Sequence, residues 1–426
     1  MTDVTRSAVQ QQAEPVRHGR LYRNRSFVLL CAGQVLSEVG SATSALAYTL
    51  LVLALTGSPL DAGFVGSVDL LARILARLPG GVLADSLDRK RLMLGCDAVR
   101  AVALFSVVAG LLLHRLPLPL LMIVVFVEGA ASVIFEPAEQ AALRNVVPSE
   151  QINQALAVNE ARTQAASLIG SPLGGLLFGL SRLAPFVADG VSYVISFLTV
   201  AFIRDPLHEG RPQPSDRRVH GPGIVEGVTV VLRDQFLRAL VIFEPLLNAA
   251  FTGALFCLIL TLRRGGWSSG IVGIVYGAIS VAGVVGALIT PWLIKRLRPV
   301  RLVIGISWVL VAALTAAVPL VNTPLAVIPI AIPMLLAPAV NTALIGHQIA
   351  ITPDRLQGRV VSVILLAAGI LEFPAPAAAG ALLERIPSSS VMLVFDGLMV
   401  ISAIVASIHP GIRSMRSPSD PAAESS

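Results

Sequence analysis

From Phe27 to Ser407 the chain alternates blocks of about twenty apolar residues with short polar breaks. A block of that length, wound as a helix, crosses the hydrocarbon core of a bilayer. Helix is the form expected there, because lipid offers no partner to an open backbone. The pattern predicts twelve transmembrane helices, at 27–54, 62–84, 92–113, 118–142, 155–180, 184–203, 237–262, 270–294, 302–321, 324–346, 360–383 and 390–408. The longest internal break, 204–236, is rich in Pro, Arg and Gly and divides the helices six and six. The expected organisation is a tail (1–26), a six-helix bundle (27–203), a central loop acting as a tether (204–236), a second six-helix bundle (237–408) and a second tail (409–426). Residues 1–20 and 413–426 read as disordered. The first 25 residues are polar and lack a cleavable apolar core, so the first helix is read as its own insertion signal.

Composition agrees with an all-α membrane protein. At 55% hydrophobic residues, 14% charged residues and a mean hydropathy of +0.78, a soluble fold has nowhere to hide the apolar surface. The net charge of +6 would point to nucleic acid in a soluble protein. Here the basic residues lie in the breaks, where they set topology, and no nucleic-acid partner is expected. With the N-terminus inside, inner segments carry 23 Lys and Arg, counting Arg238 at the edge of 204–236, and outer ones 5. Both termini are therefore expected in the cytoplasm of a multi-pass protein of a bacterial cytoplasmic membrane. Cys31, Cys96 and Cys257 are far apart, and the six histidines are scattered. Neither set has disulfide or metal-ligand spacing, so no metal or cofactor is expected, and a membrane enzyme lacks its clustered Asp or His.

The two halves carry traces of duplication. Shifted by 210 residues, Gly81–Leu92 falls on Pro291–Leu302, both basic and both ending Arg-Leu. Shifted by 205, Val147–Glu150 falls on Thr352–Arg355 and Gly175 on Gly380. Parallel repeats place a substrate site between the halves near the bilayer midplane.

The loop Gly81-Val82-Leu83-Ala84-Asp85-Ser86-Leu87-Asp88-Arg89-Lys90-Arg91 resembles the major facilitator superfamily pattern Gly-x-Leu-Ala-Asp-Arg-x-Gly-Arg-Lys, departing at Ser86 and Asp88. The stretches Phe135-Glu136-Pro137-Ala138, Ala142-Leu143-Arg144 to Pro148, and Leu168 to Gly175 are similar to the branch of macrolide-type drug efflux pumps and siderophore exporters. So are Glu226-Gly227 to Asp234 and Gly358-Arg359. Pro172 sits one residue late relative to the drug-antiporter signature, and Val125 stands where many proton antiporters carry arginine. The resemblance implies two pseudo-symmetric six-helix bundles rocking around a central site. It also implies a gate in which Asp85, ending one helix, meets the N-terminus of the eleventh helix near Arg359. Such a latch draws on helix-end electrostatics and must break in the alternate state. Arg89, Lys90 and Arg91 also serve as positive-inside anchors.

Small residues at Gly170, Gly174 and Gly175 and the missing donor at Pro172 favour close, flexible packing of the fifth helix against the other half. Charges inside a bilayer cost about 2.5–3.5 kcal/mol each at a helix centre, which makes them functional candidates. Glu38 and Glu128, each alone in its stretch of sequence, are candidates to carry a proton or meet a cationic substrate. Asp69, Arg73 and Arg77 line one face of the second helix at i, i+4, i+8. The first two read as an internal ion pair, and Arg77 as reaching the cytoplasmic face or an anionic group. Asp97 and Arg100 read as a structural pair near the inner loop. Glu244 and Asn248 beside Pro245, and Glu372 before Pro374, complete the candidates, with Asp189 and Asp396 behind them. No nucleotide-binding loop occurs, so transport must draw on an ion gradient, with protons expected. The expected function is a secondary active exporter, by proton-coupled antiport, of a small amphipathic drug, natural product or siderophore, working as a monomer. Uptake on the same fold is the alternative.

Overall fold

A computed structural model describes residues 24–148, 151–204 and 222–415. The outer parts of both predicted tails and residues 205–221 of the central loop lie outside the described residues. The first half runs α1 (Arg25–Thr56), α2 (Pro59–Ser86), α3 (Arg89–Leu112), α4 (Leu118–Val146), α5 (Ile152–Leu180) and α6 (Ala184–Ala201). After α7 (Pro222–Arg233) come α8 (Gln235–Arg264), α9 (Ser269–Arg296), α10 (Pro299–Ala317), α11 (Val327–Ile351), α12 (Asp354–Glu372), α13 (Ala375–Leu383), α14 (Ser388–Ile408) and α15 (Pro410–Arg413). Among the described residues, ten helical segments are long and apolar enough to cross a membrane, α12 and α13 counting as one. The bilayer-length helices α2 and α5, of 28 and 29 residues, join them. Each of those two carries charged residues that face the interior.

Local chemistry starts the helices where polar residues stood at block edges. Asn24, Ser58, Asp88, Asp234 and Ser268 accept from backbone N–H groups of the first turns of α1, α2, α3, α8 and α9, replacing partners the helix cannot supply. At the other end of α1, Gly57 takes a φ of 70°, the left-handed cap that glycine adopts without strain. Three readings change. The continuous eleventh span 360–383 begins six residues earlier, at Asp354, and breaks between Glu372 and Ala375, where Pro374 removes a donor. The central loop is not a plain tether, for it ends in the amphipathic helix α7, packed on α12 and α8. Residues 413–415 are ordered, with Ile412 and Met415 buried.

Side chains such as Leu180, Leu288 and Val102, among the most exposed, cover the surface that faces lipid in a polytopic protein. The halves meet along α2 with α12 and α13, and along α5 with α9. These contacts gather at the end remote from α7. There Ser58 of α2 donates to Glu384 at 2.7 Å, Gly63 packs on Pro376, and Gly380 packs on Pro59 and Leu60. The backbones of α5 and α9 almost touch: a Cβ on Gly175 would lie 2.6 Å from the Cα of Gly273. At the end carrying α7, hereafter the linker end, the halves stand apart.

Candidate substrate cavity

Between the halves lies a cavity of about 670 Å³, lined from the first half by α1, α2, α3, α4 and α5 and from the second by residues that include Thr252, Phe256, Tyr276 and Glu372. Glu38, Asp69, Arg73, Glu128 and Glu372, scattered over more than three hundred residues of sequence, line this one space. Exposed Glu136, Gln140 and Glu160 line it too, which marks its opening toward the linker end. Arg77 and Asn248 instead line a smaller pocket of about 240 Å³ with Arg73 and Glu372. Glu244, half-buried beside Pro245, lines neither space, so its expected place among the substrate contacts is not where the fold puts it. Seven acidic side chains and three arginines line the main cavity, a balance that favours cations by simple electrostatics.

Glu128 is held from two sides. The Tyr48 hydroxyl donates to its Oε2 at 2.6 Å and the Tyr193 hydroxyl to its Oε1 at 2.9 Å. The guanidinium of Arg100 lies 4.0 Å from the centroid of the Tyr193 ring, a favourable cation–π distance, and donates to Ser41 Oγ at 3.3 Å. Arg100 thus faces the cavity. The expected Asp97–Arg100 pair near the inner loop does not form: Asp97 accepts from Ser196 at 2.6 Å instead. Beside Glu128, Gly129 leaves room for α2, since a Cβ there would collide with Asp69. Asp69 in turn takes Arg73 Nε on both oxygens, at 3.1 and 3.0 Å.

A second charged group sits nearer the linker end. Arg162 of α5 donates to Glu139 Oε1 at 2.8 Å and to Glu38 Oε1 at 3.0 Å, and Thr163 also donates to Glu38 at 3.1 Å. Only 4% of the Arg162 side chain is exposed. Glu38 is therefore not alone, and its Oε2 is buried with no hydrogen bond among the described residues. The sequence reading passed over Arg162 and Glu139 and gave Arg100 to Asp97. The available signal was their position inside long apolar blocks, where any charge demands a partner. In the second half, Thr252 of α8 donates to Glu372 at 3.0 Å.

The sequence profile of the Major Facilitator Superfamily matches residues 30–376. The chain belongs to the major facilitator superfamily. It is a membrane transporter and not an enzyme. It is 26% identical to multidrug efflux pump Tap of Mycolicibacterium fortuitum over 93% of this chain and 97% of that protein. It is 27% identical to macrolide efflux protein A of Streptococcus pyogenes, over 52% of this chain and 54% of that one. It is also 24% identical to the uncharacterized MFS-type transporter YkuC of Bacillus subtilis, over 66% and 67%. The chain thus spans from about half to two thirds of the length of these last two relatives. The crystal structure of nucleoside transporter NupG superposes with a TM-score of 0.71 at 15% identity, covering 90% of this chain and 98% of that one. An inward-facing bacterial homolog of the human lysosomal transporter Spinster gives 0.70 at 14%, covering 94% and 100%.

In this major facilitator fold the remaining predicted residues lie at the helix ends and at the junction of the halves. Lys90 donates to the carbonyls of Ala201 and Ile203, at 3.0 and 2.7 Å, tying the start of α3 to the end of α6. Asp88 caps α3 by accepting from Arg91 N at 2.8 Å, which accounts for its departure from the glycine of the family pattern. Among the described residues, Arg89 Nε is buried with no partner, and nothing lies within 4 Å of the Cβ side of Gly81. The side chain of Asp85 lies outside the described residues. Arg359, near the start of α12, pairs with Glu226 of α7, and Gly227 packs on the Arg359 backbone. Of the small residues in α5, Gly170 and Gly174 pack on α1, whereas Pro172 and Gly175 pack on α9 of the other half.

The Glu226–Arg359 pair is more than a third exposed, so its contribution is about 0.2–1 kcal/mol. Glu226→Gln is expected to speed amide exchange in α7 by a factor of about two to five, read by hydrogen–deuterium exchange mass spectrometry. Unchanged exchange over 222–233 would show that packing alone holds α7.

Proposed function

We propose that the chain is a secondary active exporter of small amphipathic molecules, drugs, natural products or siderophores, coupled to protons by antiport. Glu128 carries this reading: a carboxylate near the middle of α4, gripped by two tyrosines and reached from a cavity that opens toward the linker end. A secondary transporter needs one central site exposed to one side at a time, and an ion-coupled one needs a titratable group in contact with that site. The arginine distribution puts the linker end and both termini in the cytoplasm, so cargo enters from inside. The bundles 27–203 and 237–408 then rock about the α5–α9 and α2–α13 contacts and close the linker end, with Asp85 and Arg359 in the latch. The efflux proteins among the relatives support export and small-molecule cargo, and the acidic cavity supports a cationic group on it. The unit is a monomer, because the cavity is complete within one chain.

The test uses protein in liposomes loaded with a pH-sensitive dye, challenged with macrolides, lipophilic cations and siderophores under an imposed proton gradient. Cargo-dependent proton movement is expected in the wild type. It should fall to the leak level in Glu128→Gln and be reduced in Glu38→Gln. Cargo movement without proton flux, unchanged in both variants, would overturn proton antiport and leave a facilitator.

A further inference from the structure

The side pocket of about 240 Å³ holds polar groups that the reading above does not use. It is walled by α2 of the first half and by α8 and α12 of the second. One face of α2 lines both spaces: Asp69, Leu70 and Arg73 border the main cavity, and Leu70, Arg73, Ile74 and Arg77 border the pocket. Leu70, Arg73 and Glu372 are common to the two, which makes the pocket an annex of the cavity. Exposed Arg77 and Leu365 stand on its linker-end side. Its volume falls below the roughly 300–1,000 Å³ of sites for drug-sized ligands. It suits one polar group on a short apolar stem.

The polar side chains of the annex are unequally engaged. Arg73 gives Nε to Asp69 and Nη1 to Ser132, leaving Nη2 without a partner among the described residues. Arg77 makes no hydrogen bond and no ion pair within 4 Å with any described residue. The Asn248 amide makes no hydrogen bond there either. Glu372 is the acid of the annex, yet its Oε1 takes the Thr252 hydroxyl and it pairs with neither arginine. Arg77 lies nine residues before Ser86, about 13 Å along α2, within the depth of one leaflet. A guanidinium at that depth is costly unless an anion or water meets it. Leu365, Leu366 and Ala368 of α12 give the same space an apolar wall.

We propose that Arg77 and Asn248, with Nη2 of Arg73, form an anion subsite that takes the carboxylate or phosphate of an amphiphile. The apolar stem of that amphiphile lies along Leu365, Leu366 and Ala368. Two sources share this chemistry: an anionic lipid of the linker-side leaflet and an acidic group on the cargo. Only the second rests on the exporter reading above. A cargo molecule that fills both the annex and the acidic main cavity carries charges of both signs.

Native mass spectrometry of the full chain in dodecyl maltoside counts bound molecules and needs no transport. Two matched pairs serve as probes: phosphatidylglycerol against diacylglycerol, and norfloxacin, which carries an amine and a carboxylate, against its ethyl ester. The wild type is expected to bind the anionic member of at least one pair about tenfold tighter, the usual effect of a charge-assisted hydrogen bond. Arg77→Gln should bring that ratio to within about twofold of unity, and Arg77→Lys, which keeps the charge, should retain part of it. Asn248→Ala should lower it about threefold. A preference confined to phosphatidylglycerol assigns the subsite to lipid, and one confined to norfloxacin assigns it to cargo. No preference in either pair, or one unchanged in Arg77→Gln, would overturn the subsite. If Arg77→Gln fails to fold, Asn248→Ala decides, an unchanged ratio overturning the assignment. Loss of proton-coupled export in liposomes with these ratios intact would overturn the exporter reading and leave the subsite standing.

Discussion

Replacing Arg162 by methionine is expected to destabilise the protein by about 3–5 kcal/mol, the usual effect of removing one partner from a buried ion pair. Arg162 and Glu139 are 4% and 8% exposed, and Glu38 is 26% exposed, so water replaces little of what the guanidinium supplies. Without it, two carboxylates face each other between α1, α4 and α5, and the inner ends of these helices must separate or take up protons. Thermal unfolding in detergent should show a fall in Tm of about 3–6 °C. The double variant Glu139→Gln with Arg162→Met should recover part of the loss, because it removes one of the abandoned charges and because residues in contact are not additive. A single variant with a Tm within about 2 °C of wild type would show that the triad adds nothing to the fold.

Gly175→Leu is expected to cut transport at least tenfold by a different route. A Cβ at 175 would stand 2.6 and 2.8 Å from the Cα and N of Gly273 and closer still to the Ser269 carbonyl. These are backbone atoms, which cannot swing aside, so α5 and α9 must part. Overpacking of this kind costs about 1–3 kcal/mol, and here it falls only on the state whose end remote from α7 is closed. The ratio of the two states therefore shifts by about five- to 150-fold. Spin labels at the remote ends of α5 and α9 should report a longer distance, and cycling should slow because one required state is depleted. Unchanged distances with transport within about twofold of wild type would show that the α5–α9 contact is not the pivot.

Much of the architecture is legible along the chain because bilayer length and polar breaks are one-dimensional signals. The edges of α4, α5 and α14 follow the hydropathy blocks, and the N-caps at Asn24, Ser58 and Asp234 stand at the breaks. The break after Glu372 was less visible: the apolar run continues past it, and Pro374 alone signals the interruption. Helix α7 was hidden in a segment whose Pro, Gly and Arg content reads as loop, although its apolar positions recur at helical spacing. The identity of candidate groups was legible too, since a charge within an apolar block stands out wherever it falls.

Their partnership was not legible. Glu38 and Glu128 are isolated in their stretches of sequence, yet the fold gives one to Arg162 and Thr163 and the other to two tyrosines from α1 and α6. Asp97 and Arg100 are spaced for each other, yet turn to Ser196 and to the Tyr193 ring. Sequence periodicity tells which side of a helix a residue occupies, but not which of several neighbouring helices that side meets. Here the sequence by itself determined a membrane transporter of two six-helix halves and a short roster of intramembrane charges. Only the tertiary structure decided which of those charges share the cavity, which pair off behind it, and which end of the molecule is closed, because each depends on contacts between helices far apart in the chain.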